Sequence, residues 1–212
     1  MTTIAHVSDT HGYLNDIAGD FDVIVHSGDF LPNLTRGIRS IETAYQKRWV
    51  EDNAAALHRW VRHRPLLLTH GNHDFIDAVP VLQSIGVEAY GLDDHKFEFQ
   101  GVTYYGFPHV PQFCSEWNYE CPPAELEARV NAIDLEGVDV LVAHCPIYGV
   151  LDRNSDGERC GSKPMRKFLQ DSPYTPKLYL NGHIHEQGGR MMFWSRGIRV
   201  SNAAMTQQLI HL

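Results

Sequence analysis

Five polar clusters punctuate the chain: Asp9-Thr10-His11, Gly28-Asp29, Gly71-Asn72-His73-Asp74, His144, and Gly182-His183-Ile184-His185. Carboxylate, imidazole and amide side chains are ligands for divalent cations, and a mixed Asp, Asn and His set favours Mn, Fe or Zn over Ca or Mg. In Asp9-x-His11, a chain leaving a strand into a turn can aim both side chains at one ion. Gly28 and Gly71 permit tight turns beside bulky ligands, where a Cβ would intrude. Two such ions about 3.5–4 Å apart, sharing a carboxylate, form a clamp for in-line displacement at phosphorus. Asp29 is the natural shared ligand. Taken singly, Asp-x-His is ordinarily a turn with a surface histidine, and Gly-Asp ordinarily just a turn. Their joint occurrence, each where a strand-like run stops, points to a metal site.

The elements that must position these clusters are legible in the apolar pattern. Thr3 to Ser8, Asp22 to His26, Pro65 to Thr69 and Val138 to Ala143 are short apolar runs ended by polar or glycine residues, the pattern of buried parallel strands. Between the second and third, Ile41, Tyr45, Trp49, Ala56, Leu57, Trp60 and Val61 recur near a helical period, predicting one long helix in a β-α-β arrangement. Helical patterns also cover Ala78 to Ile85, stopped by Gly86, and Pro123 to Ile133. Lys96 to Gln100 and Val102 to Gly106 read as a hairpin around Gly101, and Met191 to Trp194, Ile198 to Ser201 and Gln207 to His211 as further short strands. The expected class is therefore α/β with mixed sheets, the 212 residues forming one unit. Ligands of open α/β sheets bind beyond the carboxyl ends of the strands, so all five clusters are expected to meet in one crevice.

With 18 basic and 26 acidic side chains the net charge is −8, which argues against a long nucleic acid as partner because counterion release needs Lys and Arg. A small charged substrate remains compatible, since two divalent cations outweigh the carboxylates that hold them. Residues 153–212 run the other way, with nine basic and four acidic side chains. Within them the polar stretch from Asp152 to Lys163 reads either as a solvated face or as a loop presenting Arg153, Arg159 or Lys163 to a phosphate. His109, with Phe113 and Trp117 nearby, marks either a wall for a nucleobase or a surface loop with an apolar underside. His26 and His70 are expected either to pack or to orient ligands, and His6, His58, His63, His95 and His211 to be structural. Cys114, Cys121, Cys145 and Cys160 form no CxxC pair, and neither an export nor a membrane-spanning pattern is visible, so the expected compartment is cytoplasmic.

Taken together, the clusters resemble the full signature of the calcineurin-like metallophosphoesterases, spanning residues 9 to 185. That resemblance implies a four-layer αββα sandwich. It further implies that Asp9, His11, Asp29 and His185 hold one metal, and Asp29, Asn72, His144 and His183 the other, with His73 a non-ligand catalytic histidine held by Asp74. Asp9-Thr10-His11-Gly12, Ser27-Gly28-Asp29-Phe30, Gly182-His183-Ile184-His185-Glu186 and Asn202-Ala203 are similar to the MPPED-type cyclic-nucleotide phosphodiesterases. That group more often has His-Gly-Pro where this chain has His144-Cys145-Pro146. The implied activity is hydrolysis of a small phosphodiester, cyclic nucleotides included, by a hydroxide generated between two metal ions, with His73 donating a proton to the leaving oxygen. A phosphomonoesterase or nuclease using the same centre, and a metal-binding scaffold without turnover, are the competing expectations.

Overall fold

A computed structural model describes residues 2–212. The strands, in chain order, are β1 (Thr3–Val7), β2 (Val23–Ser27), β3 (Leu66–Thr69), β4 (Ala89–Gly91), β5 (Lys96–Phe99), β6 (Val102–Phe107), β7 (Val110–Pro111), β8 (Glu120–Cys121), β9 (Val140–Ala143), β10 (Leu178–Asn181), β11 (Arg190–Phe193), β12 (Arg199–Asn202) and β13 (Gln207–His211). The helices are α1 (Arg39–Asp52), α2 (Ala54–Val61), α3 (Ala78–Ser84), α4 (Pro123–Asn131) and α5 (Lys163–Asp171). No helix among the described residues is long and apolar enough to cross a membrane.

The apolar runs that read as buried strands build two mixed sheets. One has the order β13-β1-β2-β3-β4, antiparallel only at the β13 edge. The other has the order β11-β12-β10-β9-β6-β5, with a parallel centre and an antiparallel strand at either edge. Side chains alternate across a strand, so each run contributes to two layers. Ile4, Val25 and Leu67 of the first sheet meet Tyr104, Val142 and Leu180 of the second in a core between the sheets. Their neighbours Ala5, Ile24 and Leu66 face the other way, onto Leu57 and Trp60 of α2 and Leu82 of α3. Leu141 and Tyr179 face Leu126 and Val130 of α4 and Met165 and Leu169 of α5. Helix, sheet, sheet, helix is the expected four-layer sandwich.

Three elements depart from the sequence pattern. The long helix is broken at Asn53, whose backbone (φ −102°, ψ 15°) ends α1 before α2 begins. The inward face of α1 carries Glu42, Gln46 and Val50, whereas Ile41, expected on the apolar stripe, is 40% exposed. Strand β10 is marked in the sequence only as the run that stops at Gly182, without bounds, and helix α5 is not marked at all: it starts inside what reads as a polar loop, where Ser162 caps it by accepting from Met165 N–H.

Candidate metal centre

The carboxyl ends of the central parallel strands of both sheets open on one side. Asp9 and His11 follow β1, Asp29 follows β2, Asn72 and His73 follow β3, His144 follows β9, and His183 and His185 follow β10. Asp9, His11, Asp29 and His183 all have positive φ, between 45° and 66°, a backbone state uncommon outside glycine that persists only where surroundings impose it. Those surroundings are specific. Asp9 N–H donates to Gly28 O and His11 N–H to Asp29 O, locking the first two loops together. A Cβ on Gly28 would overlap His144, and one on Gly71 would overlap Asp29, so these glycines provide room for close approach as the sequence suggests.

Donor atoms of Asp9, His11 and His185 lie within 4.8 Å of one another, as do those of Asp9, Asp29 and His144. Asp29 Oδ2 stands 3.2 Å from His144 Nε2 and 3.9 Å from His11 Nε2, within reach of both groups. Asn72 Oδ1 is 3.1 Å from His144 Nε2. The His183 ring is 5.0 Å from that of His144, and its backbone N–H donates to the Asp9 carboxylate. All seven sequence-nominated ligands are thus brought together, His183 less closely than the rest. His11 Nε2 and His185 Nε2 lie 3.5 Å apart beside Asp9 Oδ1, close enough for one cation to be reached by all three. The donor set of imidazole nitrogens, carboxylates and one amide oxygen suits divalent transition metals.

Electrostatics prepare the donors. Burial opposes ionisation of Asp9 and Asp29, but His185 and His144 beside Asp9, and above all His144 beside Asp29, hold both below the usual carboxylate range. Burial likewise opposes a charge on His144, yet the Asp29 carboxylate pushes it up to about 9. Burial and His144 bring His183 down to about 4, leaving a neutral ring able to ligate. His144 Nδ1 donates to Ser27 O at 2.9 Å, so Nε2 is the nitrogen that faces Asp29, and it must give up its proton before it can ligate. His26 orients two ligand loops, bonded through Nε2 to Thr10 Oγ1 and accepting Gly28 N–H at Nδ1. His70 links instead to Asp93 and to Ala78 N–H.

The structure corrects two expectations. Asp74 does not hold the His73 ring: its carboxylate accepts the backbone N–H groups of Asp29, Phe30, Leu31 and Gly71, and so shapes the ligand loops. His73 Nδ1 is bonded to Asn33 Oδ1 at 2.7 Å, and Asn33 is fixed in turn by donating to Glu42 and to His73 O. With Nδ1–H committed to Asn33, Nε2 is the free nitrogen. Asn33 lies four residues beyond Asp29 on the same loop, a proximity that could have nominated it; nothing in the α1 pattern marks Glu42 or Gln46. The second correction concerns His109. It is buried, contacting Cys121 Sγ at 3.5 Å and Arg129 at 3.3 Å, and is not among the residues lining the cleft.

That cleft, about 1070 Å³, is lined by Asp29, Asn72, His73, His183 and His185, by Phe113 and Trp117, and by Tyr148, Arg153, Arg159 and Lys163, with Glu158 and Glu186 among them. Arg159 is paired with buried Asp152 at 2.9 Å, and Arg153 is folded back onto Gly157 O. Lys163 lies over the Tyr148 ring at 5.0 Å.

Residues 2–187 match the model of the calcineurin-like phosphoesterases. The chain belongs to that family. Calcineurin-like phosphoesterases are dimetal-dependent, which agrees with the donor groups described above. Among curated relatives, the metallophosphoesterase domain-containing protein 1 of Homo sapiens is 28% identical over 209 residues, covering 90% of this chain and 62% of that protein; the Mus musculus protein of the same name matches equally. This chain thus spans about three fifths of the length of those two relatives. A solved dimetal phosphatase from Danio rerio shares its fold at a TM-score of 0.53 and 13% identity, over 95% of this chain and 86% of that one.

Proposed function

We propose that this chain is a two-metal phosphoesterase that hydrolyses small phosphodiesters, cyclic nucleotides among them. The observation that carries the proposal is the convergence of Asp9, His11, Asp29, Asn72, His144 and His185 donor atoms at the carboxyl ends of two facing sheets, on the wall of a substrate-sized cleft. Asp9, His11, Asp29 and His185 would hold one cation and Asp29, Asn72, His144 and His183 the other, with Mn, Fe or Zn suited to the mixed donors. When bound, such a pair supplies a nucleophilic water at neutral pH and offsets charge on the phosphoryl oxygens.

The protein's own groups do the rest. His73, its Nδ1 tied to Asn33, keeps Nε2 free to give a proton to the leaving oxygen. Burial lowers the His73 pKa, which makes the ring a readier proton donor once charged. Lys163 and Arg159, which line the same cleft, would favour an anionic substrate. Phe113 offers an apolar face to an organic leaving group. The net charge of −8 supports a small substrate rather than a long nucleic acid.

The test offers Mn²⁺-loaded protein a phosphodiester, a phosphomonoester and cyclic nucleotides in parallel. Diester turnover is expected. Turnover of the monoester alone rejects the diester assignment, and metal uptake without turnover on any substrate makes the chain a scaffold.

A further inference from the structure

We propose that Trp117 is a positioning residue that holds the His73 ring in its working orientation, and that Glu120 sets Trp117 in place. The inference rests on reading His73 as the proton donor. The hydrogen bond to Asn33 restrains His73 Nδ1 but leaves the ring free to swing about that contact. The Trp117 indole closes off this motion: its ring lies against one face of His73, with centroids 3.9 Å apart and planes inclined by 33°. His11 meets the edge of His73 at 4.8 Å. Trp117 belongs to none of the three apolar cores, and its indole N–H makes no hydrogen bond among the described residues. Its principal neighbour is the histidine itself, with Phe75 beyond at 6.2 Å.

The loop that carries Trp117 is built around one carboxylate. Glu120 accepts the backbone N–H groups of Phe113 (2.8 Å), Cys114 (3.0 Å), Ser115 (2.8 Å) and Trp117 (3.2 Å). Partial burial works against this charge, but the four donors outweigh it and hold Glu120 down at about 2, so the loop keeps its anionic centre across the working range. Next along the chain, Asn118 fastens the loop to the backbone on either side of His73. Its N–H donates to Asn72 O at 2.9 Å and its Nδ2 to Asp74 O at 2.8 Å, while its Oδ1 accepts from Arg39. The ring that covers His73 is thereby referenced to the same loop that carries His73, which gives the stack a fixed geometry.

The experiment compares wild type, Trp117→Ala, Trp117→Phe and Glu120→Gln, each Mn²⁺-loaded and checked for metal content, with bis(p-nitrophenyl) phosphate as probe. Misplacing a reacting group by about 1 Å costs on the order of 10²-fold, so Trp117→Ala and Glu120→Gln are expected to lose kcat by up to that factor with KM within about twofold. Trp117→Phe should restore most of the rate. A second readout needs no substrate and uses the same proteins loaded with diamagnetic Zn²⁺: the His73 ring protons, assigned by their absence in His73→Ala, should be shifted upfield by the indole and lose that shift in Trp117→Ala and Glu120→Gln. A His73 spectrum indifferent to Trp117→Ala overturns the stack. A lost shift with kcat unchanged overturns the positioning role, and a loss carried by KM makes Trp117 a substrate surface instead. Wild-type protein that binds Mn²⁺ yet cleaves no ester overturns the catalytic reading of the site, and the spectra then still decide whether the Glu120 loop holds His73.

Discussion

A Cβ placed on Gly182 would overlap Ser8 Oγ and Asp9 Oδ2, and one on Gly71 would overlap Asp29 and come within 2.8 Å of His144 Cε1. The room for each carboxylate is therefore created by a missing side chain on a neighbouring loop. Gly182→Ala should leave the far-UV circular dichroism unchanged but displace Asp9, weakening Mn²⁺ binding about 10–100-fold by calorimetric titration, the range typical when a ligand loses its support. Unaltered affinity would show that Asp9 is not a ligand. At His73 the expectation is the reverse: His73→Ala should keep full metal content, measured by elemental analysis, and lose about 10²–10⁴-fold in kcat. Asn33→Leu should fall between, because it removes the acceptor of His73 Nδ1–H while leaving the ring present.

Helix α1 shows at the scale of an element why part of the site could not be read from sequence. Its stripe of Ile41, Tyr45 and Trp49 suggests which face turns inward, yet the fully buried positions are Glu42, Gln46 and Val50. Unsatisfied backbone groups in the loops above α1 decide the matter. Glu42 accepts Leu34 and Thr35 N–H, and Gln46 donates to Pro32 O and His73 O and accepts Phe75 N–H. A buried donor or acceptor without a partner costs about 1–3 kcal/mol, so rotating α1 to bury Ile41 would be unfavourable. The ligands themselves were legible because chemistry dictates their types and strand ends dictate their places. Gln46 and Glu120 were not, because their roles depend on which loop passes overhead, and Asn33 was marked only by its nearness to Asp29. Gln46→Leu should accordingly destabilise the protein by at least ~1–3 kcal/mol in urea melts, despite raising the hydrophobicity of the helix, whereas Ile41→Lys should stay within about 0.5 kcal/mol. The opposite ranking would restore the apolar stripe as the packing face.

Neither sheet holds the centre alone: Asp9, His11 and Asp29 come from one, His144 and His185 from the other, so the site exists only while the sheets keep their relative placement. Between them, His6 of β1 bonds Ser27 Oγ of its own sheet and Ser201 Oγ of the other, both at 2.9 Å. Burial, reinforced by nearby His26, brings the His6 pKa down from 6.5 to about 3, so the folded protein holds this ring neutral where an unfolded chain would protonate it. The unfolded state then binds the extra proton at any pH between those two values. The stability contributed by a neutral His6 is complete above pH 6.5 and is lost as pH falls toward 3, at ~1.4 kcal/mol per pH unit for one proton. Other buried histidines titrate in the same direction, so the contribution of His6 is the difference between wild type and His6→Gln, which has no ring to protonate. Urea melts from pH 7 to pH 4 should show wild-type stability falling more steeply than that of His6→Gln by up to this slope, the two curves converging as acid removes the wild-type advantage. Parallel curves would mean that His6 is hydrated or already protonated in the native state.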